Sequence, residues 1–430
     1  MPKLKTAEPR ILKEVVHKEL CCGCGVCAGV CPHKALAMQF NRYGEYNPVL
    51  TGICVSCGLC EKVCPSLAGN PNEDGIATEL YAQLDNIHHR PETGYYLESY
   101  VGHAPDEKMH WNGASGGMAT WVLCELLQRG EIDYVITVSP NPHPEKLFKF
   151  IVVSSPEDVL ACSKSAYYPV ETSEVLQHVL CNEGRYAMMG LPCVCKAVRL
   201  AQRNNKKLRN RITVLLGLVC GNLPSSFLPD FLMRRVDVDP LDCRRVSFRE
   251  KESGKPNHVH LFKGFDRKER EMCSVYWHEG YSKAYMYEYF KLNSCNYCED
   301  GFAECSDAAF MDAWVERHKN ESNGTSFVLV RDPRINELLK ADYTLEPIES
   351  IISSQDGPVA RTKGNGHKSI YERFKRIEKR IWRFGARRAV SIVQNQKIKG
   401  HSVMNLIFFP FNVLGYGFHA IDKFLRMILK

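Results

Sequence analysis

The sequence lacks the motifs and the leader that mark several common classes of protein. It has no Walker phosphate loop, no Rossmann glycine fingerprint after a first strand and no His–Glu metal motif. These absences argue against a P-loop nucleotidase, a dinucleotide-binding Rossmann domain and a His–Glu metalloenzyme. Residues 1–19 are charged throughout, and no apolar run follows them as it would in a secretory signal. We therefore expect a cytoplasmic protein.

A clean membrane-spanning run is also missing near the C-terminus, where the charge is concentrated. The net charge is +7, and much of the excess follows Lys368. Residues 403–429 are aromatic, but Pro410 and Gly415 interrupt them, which argues against a spanning helix. The preceding stretch is a basic helical pattern with an apolar face formed by Ile370, Phe374, Ile377 and Ile381.

This basic amphipathic helical tail, residues 369–430, is expected to make peripheral contact with the inner face of the cell membrane. The alternative is that it packs on the protein's own core or on a partner subunit. We expect no nucleic-acid partner, because a nucleic-acid arm needs mainly cations that neutralise phosphate, whereas this helix interleaves apolar residues.

The sequence is rich in cysteine, with 20 residues in all. Part of the N-terminal region, with its cysteines, is repeated with a period of 33 residues. Each half reads C-x2-C-x2-C-x3-C-P, the spacing by which thiolates bind a [4Fe-4S] cluster, with the fourth cysteine passing to the other cluster. Paired all-cysteine zinc sites are the alternative, although these usually use two separated C-x2-C pairs. Cys22 has no place in the pattern and is expected to be a spare thiol. The predicted ligands are Cys21, Cys24, Cys27 and Cys64 for one cluster, and Cys54, Cys57, Cys60 and Cys31 for the other.

The middle of the chain alternates between strand and helix signals, and the fold class is expected to be α+β. Strands are predicted at residues 134–138, 148–153, 185–190 and 212–219, and helices at 115–129 and 193–204. The last strand–helix–strand unit favours a right-handed crossover between parallel strands. We predict a ferredoxin-like domain at 1–70, a linker at 71–100, a mixed α/β domain at 101–345, a second linker at 346–368 and the tail.

Four further cysteines suggest a third metal site. Cys193 and Cys220 each follow a predicted strand, and strands joined by one crossover bring their carboxyl ends to the same edge of a sheet, where open α/β sheets bind ligands. Cys295 and Cys298 form a C-x2-C pair that can complete a four-cysteine site. The alternative is that Cys193 and Cys220 are buried as small apolar residues.

Six short motifs occur in a familiar order: NGASGG at 112–117, SKS at 163–165, GLPC at 190–193, CG at 220–221, CNYC at 295–298 and DAW at 312–314. In this order the chain resembles the family of the coenzyme F420 hydrogenase/dehydrogenase beta subunit. The resemblance implies FAD and a [4Fe-4S] cluster in the α/β domain, and it favours the third cluster. The flavin contacts expected are Asn112, Ser115, Gly116, Gly117, Lys164 and Asp312.

Gly116 and Gly117 open a predicted helix whose N–H groups can receive a pyrophosphate, with close helix–strand packing as the alternative role. The resemblance implies an oxidoreductase that passes electrons between a reduced carrier, coenzyme F420 or ferredoxin, and an acceptor. The chain departs from the family at Leu191 and Met311, where members commonly have Thr and Gly. These departures favour the alternative of a non-catalytic electron-relay or docking subunit of a larger redox or cell-surface polysaccharide system. No catalytic residue is predicted.

Overall fold

The computed structural model describes residues 8–286 and 288–363, and the tail predicted at 369–430 lies outside them. The first segment folds into two short loop–helix units joined by an antiparallel hairpin. Each helix begins after a glycine with positive φ, Gly25 at 80° and Gly58 at 71°, one repeat apart. The duplicated sequence therefore gives duplicated local structure. In chain order the elements are α1 (Val26–Gly29), β1 (Leu36–Phe40), β2 (Tyr46–Leu50) and α2 (Leu59–Lys62).

Helices and strands alternate through the rest of the described chain. The helices are α3 (Glu73–Tyr81), α4 (Glu107–Asn112), α5 (Met118–Gln128), α6 (Pro156–Ala161), α7 (Ser173–Cys181), α8 (Pro192–Asn204), α9 (Lys206–Arg211), α10 (Phe227–Arg235), α11 (Tyr281–Met286), α12 (Pro333–Lys340), α13 (Ile348–Ser354) and α14 (Asp356–Thr362). The strands are β3 (His88–Arg90), β4 (Gly94–Tyr96), β5 (Glu98–Gly102), β6 (Tyr134–Pro140), β7 (Phe148–Val153), β8 (Tyr186–Gly190), β9 (Ile212–Leu218), β10 (Arg245–Glu250), β11 (Leu261–Phe265), β12 (Glu271–Tyr276), β13 (Ala308–Asp312), β14 (Ser326–Val330) and β15 (Thr344–Leu345).

Eight strands form one mixed sheet in the order β15-β5-β14-β13-β9-β8-β6-β7. Strands β6, β8, β9 and β13 run parallel, while β7, β14 and β5 pair antiparallel with their neighbours. The predicted strand–helix–strand unit is confirmed as β8–α8–β9, with the two strands adjacent and parallel. The predicted strands at 134–138 and 148–153 and the helix near 115–129 are confirmed as β6, β7 and α5.

Helices cover both faces of this sheet. Along β8, Tyr186 and Met188 pack into the apolar cluster of α7 and α8, whereas Ala187 packs into the cluster of α5 and α12 on the opposite face. Successive side chains of a strand point to opposite faces, so a strand that is buried on both sides reads as a continuous apolar run. The central strands therefore position their loops without exposing a sheet face.

The N-terminal unit shares a core with the sheet domain. Val26 and Val30 belong to the same buried cluster as Leu176 and Val194. Two hydrogen bonds, from the Thr172 backbone N–H (3.0 Å) and hydroxyl (2.7 Å), fix the carbonyl of Cys24 at this junction. The first cysteine loop is therefore held against the α/β domain.

A smaller three-stranded antiparallel sheet, in the order β10-β11-β12, packs beside the edge strand β7. Its core is aromatic, and Phe148 of β7 contacts Phe248 of β10 with ring centroids 6.0 Å apart. Helices α10 and α11 contribute Phe231 and Tyr281 to the same cluster. Strand β10 is thereby held near the carboxyl ends of the large sheet.

Both predicted linkers contain packed helices. In residues 71–100, α3 is capped by Asn72, whose side chain accepts from the Gly75 N–H, and it buries Glu73, Ile76 and Tyr81. With the buried Ala77 these residues recur at spacings of three and four, which is helical, but they lie within a polar composition typical of a loop.

In residues 346–368, α13 buries Ile348 and Ile351 against β14, and α14 follows it directly. The serine content concealed a short apolar face. Within the described residues no helix has both the length and the apolar character needed to cross a lipid bilayer.

A buried arginine joins β14 to two loops. Arg331 is 0% exposed, and its guanidinium donates to five backbone carbonyls and one hydroxyl. These carbonyls belong to Thr93, Tyr95, Phe302, Ala303 and Ser306, and the hydroxyl is that of Ser306. A buried cation is tolerated when its donors are all engaged. Arg331 therefore fixes the segment that follows the CNYC motif.

Replacing Arg331 with Met should lower the free energy of unfolding by about 3–5 kcal/mol, because several buried carbonyls would lose their donor at once. Urea unfolding under anaerobic conditions measures this. Arg185→Met is the matched control, since that guanidinium is exposed and paired with Asp133, and it should change stability little. Equal losses in the two variants would show that the carbonyls around Arg331 find other donors.

Candidate functional site

A large cavity opens where the carboxyl ends of the parallel strands meet. Strands β6, β8, β9 and β13 all end at this edge of the sheet, which is where open α/β sheets bind ligands. The cavity has a volume of about 650 Å³, within the range of cofactor sites. Its wall includes Ser115, Gly117, Lys164, Cys193, Cys220, Arg249, His260 and Asp312.

The glycine loop forms one wall of this cavity and is anchored from behind. The Ser115 hydroxyl donates to the carbonyl of Thr325 (2.6 Å), and the Gly116 N–H donates to the Ser326 hydroxyl (3.0 Å). Gly117, at φ 77°, begins helix α5 and lines the cavity. The first-turn N–H groups of α5 are therefore available to an anion.

Two of the predicted flavin contacts lie away from the cavity surface. A Cβ on Gly116 would come within 2.7 Å of the Gly102 carbonyl, so this glycine allows close packing of the loop on β5. Asn112 ends α4 and is not part of the cavity wall. The lack of a side chain at Gly116 therefore permits close packing, whereas Gly117 lines the cavity.

Lys164 and Asp312 both line the cavity, and each forms an ion pair with a residue of β10. Lys164 has a positive φ of 104°, an uncommon backbone conformation for a side chain of its size, and its amine lies 3.3 Å from Glu250. Asp312 accepts from the Arg249 guanidinium through both carboxylate oxygens, at 3.0 and 2.8 Å. The cavity therefore contains charges that are already compensated.

Arg249 is the main residue of the site that the sequence did not reveal. It is 2% exposed, and its guanidinium lies over the Trp314 ring at 5.5 Å from the centroid. It belongs to β10 of the small sheet, and no motif marks it. Its strand reads RVSFRE and is mostly charged or polar, so the composition of β10 gave no signal that Arg249 is buried.

Two side chains in the cavity wall have buried nitrogens without a hydrogen-bond partner. Within the described residues, neither ring nitrogen of His260 nor Nε of Arg249 has a hydrogen-bond partner. Burial lowers the pKa of His260 to about 3, so the ring is neutral and offers one donor and one acceptor. Unsatisfied buried groups that line a cavity are suited to a polar ligand.

The glycine loop is also held by a buried lysine. The Lys251 amine donates to the carbonyls of His110 (2.8 Å), Ser115 (2.9 Å) and Asn323. Burial, and then the charges of Lys164 and Arg249, lower the pKa of Lys251 to about 7. Its charge therefore changes within the physiological range.

Cys64, from the second half of the repeat, lies beside the cysteines of the first loop. Burial raises the pKa of Cys27, and the neighbouring Cys21 and Cys64 raise it further. Cys64 thus lies among the thiols of the first loop. The Gly23 N–H donates to Cys21 Sγ at 3.4 Å, a bond of the kind that tunes cluster sulfurs.

The second loop mirrors this arrangement but faces solvent. Burial raises the pKa of Cys60 to about 11, and the nearby Cys54, Cys57 and Cys31 add to the effect. Ser56, one repeat after the first donor, gives the same N–H to Sγ bond at 3.4 Å. Cys57 is exposed, as are its neighbours Ile53 and Val55, at 68% and 51%.

The third set of cysteines comes together from three separate segments. The adjacent Cys22, burial, and the nearby Cys298 and Cys220 raise the pKa of Cys193. Burial, followed by Asp300 and then Cys295 and Cys220, raises the pKa of Cys298. Cys193 and Cys220 line the cavity, and Cys295 and Cys298 lie near them.

Cys22, which we expected to be a spare thiol, lies beside Cys193 of the third set and Cys24 of the first loop, and both lower the pKa of its thiol. It lines the large cavity and also the small cavity between the first-loop cysteines. No sequence motif signals that Cys22 lies between the two cavities, because only folding brings the segments that form them together.

The thiols present fit clusters held in three groups, and the unpartnered groups of His260 and Arg249 fit a polar cofactor in the cavity. Within residues 8–286 and 288–363 no three His, Cys, Asp or Glu side chains form a site for a single metal ion. The donor groups are therefore separated thiols that surround a space, as the thiolate ligands of an iron–sulfur cluster do.

Comparison with known families gives three matches along the chain. Residues 10–68 match a 4Fe-4S dicluster domain. Residues 99–177 match the N-terminal region, and residues 183–349 the C-terminal region, of the coenzyme F420 hydrogenase/dehydrogenase beta subunit. Together the three matches cover most of the described chain.

Two curated proteins are similar. The F subunit of the F(420)H(2) dehydrogenase of Methanosarcina mazei is 23% identical over 253 residues, which are 57% of this chain and 66% of that protein. The coenzyme F420-dependent sulfite reductase of Methanocaldococcus jannaschii is 26% identical over 369 residues, 79% of this chain and 49% of that protein. The chain thus spans just under two thirds of one relative and about half of the other.

A solved structure of the F420-reducing [NiFe] hydrogenase complex from Methanosarcina barkeri contains a chain that matches with 19% identity and a TM-score of 0.49. The match covers 67% of this chain and 96% of that one.

We expect Lys251 to make the unfolding free energy depend on pH between about 7 and 10. The pKa of Lys251 is about 7 in the folded protein and about 10.4 in an unfolded chain. The unfolded chain binds the extra proton across this range, so the stability contributed by Lys251 rises with pH and is constant below about pH 7. Urea unfolding of the wild type and Lys251→Met should show the wild type gaining on the variant as the pH rises.

Lys340→Met removes a lysine that is 68% exposed and is the matched control, with a curve parallel to that of the wild type. A constant difference between wild type and Lys251→Met over the whole range would contradict the shifted titration.

Proposed function

The chain belongs to the family of the coenzyme F420 hydrogenase/dehydrogenase beta subunit. On this premise we propose that it is an oxidoreductase with an iron–sulfur electron-transfer role and that it is an iron–sulfur flavoprotein. In this proposal it passes electrons between a reduced carrier, coenzyme F420 or ferredoxin, and an acceptor. The cofactors proposed are FAD and three [4Fe-4S] clusters. The observation that carries the proposal is the 650 Å³ cavity, which has the glycine loop on one wall and Cys193 and Cys220 in its lining.

The proposed cluster ligands are the three groups of thiols. Cys64 beside the first loop and Cys31 beside the second support crossed ligation in the N-terminal unit. The contacts of Cys193 and Cys298 support the third cluster. The ligand sets are Cys21, Cys24, Cys27 and Cys64; Cys54, Cys57, Cys60 and Cys31; and Cys193, Cys220, Cys295 and Cys298.

The cavity wall supports the flavin. A bound flavin accepts two electrons together and releases them one at a time, which suits a chain of one-electron clusters. Gly117 and the first turn of α5 offer N–H donors to a pyrophosphate. Arg249 Nε and His260 offer hydrogen bonds to the polar edge of a ring, and Asp312 holds the guanidinium in place.

A non-catalytic relay or docking subunit is the second candidate, and Met311 favours it. Met311 is 7% exposed, packs with Phe327 and Leu329, and also reaches the cavity wall. Family members commonly have glycine at this position, so the side chain narrows the space left for a substrate. A relay of this kind needs the clusters but not the flavin.

We expect the full chain, purified anaerobically, to hold about twelve iron atoms, from about four in each of three clusters, together with FAD. Reduced coenzyme F420, reduced ferredoxin and NAD(P)H should then be tested in parallel, with bleaching of the flavin and cluster absorbance as the measurement. Full iron content without flavin would favour the relay subunit.

The matched variants separate the third cluster from the other two. Changing both Cys295 and Cys298 to Ser should leave about eight iron atoms, whereas Cys181→Ser, at an exposed cysteine that ends α7, should leave all of them. Retention of the full content in the double variant would contradict the third site.

We also propose that the tail holds the protein on an anionic membrane surface. The support is the basic amphipathic pattern of the sequence, in which each basic residue near the surface contributes about 1 kcal/mol. Flotation with anionic liposomes at low salt should recover the full chain but not a version that ends near Gly364. Equal flotation of the two forms, or of neither, would instead make the tail a packing or subunit-contact element.

A further inference from the structure

The two halves of the ferredoxin-like unit are equivalent in sequence but not in their surroundings. The α/β domain covers the first loop, where Thr172 donates to the Cys24 carbonyl from its backbone N–H (3.0 Å) and its hydroxyl (2.7 Å). A Cβ on Gly25 would come within 2.7 Å of the Thr172 nitrogen. At Gly58, one repeat later, no described atom lies within 4 Å of the same position. The domain therefore covers one copy of the loop and leaves the other open.

The two short helices that follow these loops differ in the same way. Gly29 of α1 has no side chain, and a Cβ there would lie 3.0 Å from the Cβ of Leu176 in α7. The equivalent residue of α2 is Lys62, which is exposed. The first copy thus has the small residue that close packing on a domain requires, whereas the second has a charged residue that a partner can reach.

The open copy also presents apolar side chains to solvent. Ile53 and Val55 are 68% and 51% exposed, and Cys57 is exposed beside them. Their equivalents Leu20 and Cys22 pack instead against the buried cluster of α1, α7 and α8. Single exposed apolar residues are common, but these two repeat positions that the first copy packs against protein. We call Ile53, Val55 and Cys57 the outer face.

Two exposed lysines flank the outer face. The backbone N–H groups of Thr51 and Gly52 donate to the Ala35 carbonyl at 2.9 and 3.2 Å, so that the exposed Lys34 lies beside the start of this loop. Lys62 ends helix α2, which begins where the loop ends. The loop therefore has an exposed cation close to each of its ends.

No exposed carboxylate balances these cations within residues 31–62. Of the two carboxylates in this range, Glu45 is 5% exposed and Glu61 is paired with Arg10. The exposed residues of the range that carry a formal charge are Lys34, Arg42 and Lys62. Opposite charges on two surfaces steer their association and fix its register. A protein that docks on the outer face therefore gains from an acidic surface.

We propose that the outer face is the docking site of an acidic protein that carries one electron at a time. The partner covers Ile53 and Val55 as the α/β domain covers the first copy of the loop, with carboxylates opposite Lys34 and Lys62. One electron crosses between the second cluster and the partner's redox centre, so that one is oxidised as the other is reduced, and no covalent bond forms or breaks. This inference rests on the proposed function, since it requires iron at the second group of thiols.

The test uses the full chain, purified anaerobically and oxidised, with a reduced acidic [2Fe-2S] ferredoxin as the probe. Freeze-quench electron paramagnetic resonance follows the loss of the probe's signal, which persists at temperatures where the signals of [4Fe-4S] clusters have broadened. At low salt the rate constant of Lys34→Glu/Lys62→Glu should fall at least about tenfold, because reversed rim charges slow steered association. The difference should shrink as the salt concentration rises.

The matched control is Lys268→Glu/Lys340→Glu, which changes the net charge equally at exposed lysines of the small sheet and of α12. It should react nearly as fast as the wild type. Ile53→Ser/Val55→Ser keeps both flanking lysines and should slow the ferredoxin at every salt concentration, because salt does not screen apolar contact.

A basic cytochrome c serves as the probe of opposite charge. When it accepts electrons from the dithionite-reduced chain, it should react faster with Lys34→Glu/Lys62→Glu than with the wild type, because the reversed charges now attract it. Iron analysis of every form should give the content of the wild type, which shows that the variants differ in docking and not in cluster assembly.

Two results would overturn the docking site. Equal ferredoxin rates for the wild type and Lys34→Glu/Lys62→Glu at low salt would show that these charges do not face the partner. A version ending near Gly364 that reacts much faster than the full chain would make the tail the occupant of the outer face. Failure of the proposed function looks different, because the wild type itself would then lack flavin or part of its iron before any probe is added.

Discussion

The parallel pairing of β6, β8, β9 and β13 is the constraint on which the rest of the molecule depends. A parallel pair must be joined by a crossover, and a right-handed crossover returns the chain to the same end of the sheet. Each loop that follows one of these strands is therefore delivered to a single edge. The two thiols after β8 and β9, the carboxylate after β13 and the glycine loop before α5 meet there because of topology, although they are far apart in sequence.

Charges inside the cavity wall are compensated in pairs, and the small sheet supplies half of them. Arg249 and Glu250 come from β10, while their partners Asp312 and Lys164 come from the large domain. Breaking a buried pair leaves an uncompensated charge, which is costlier than never having formed the pair. The two sheets are thus held in one relative position by electrostatics as well as by the aromatic contacts beside β7.

The sequence allowed the locally encoded parts to be predicted. The repeat of period 33, the β8–α8–β9 unit and α5 depend on spacing within short windows, and each has its counterpart in the structure. Helix α3 was missed because its apolar residues are few and stand among polar ones. Arg249, His260 and Cys22 could not be found, since their importance comes from contacts between distant segments. Gly116 lies beside the site, and its lack of a side chain permits close packing on β5.

The unequal exposure of the two cysteine loops has a consequence for survival in air. Oxidation of cysteine follows solvent access and thiolate character. Cys57 lies open to solvent with Val55 and Ile53, whereas Cys24 and Cys27 are enclosed between the domains. Dioxygen or peroxide would therefore oxidise the second loop first and leave the first loop intact for longer. A protein damaged in this way would lose thiols of the second loop while the thiols of the first loop remain reduced.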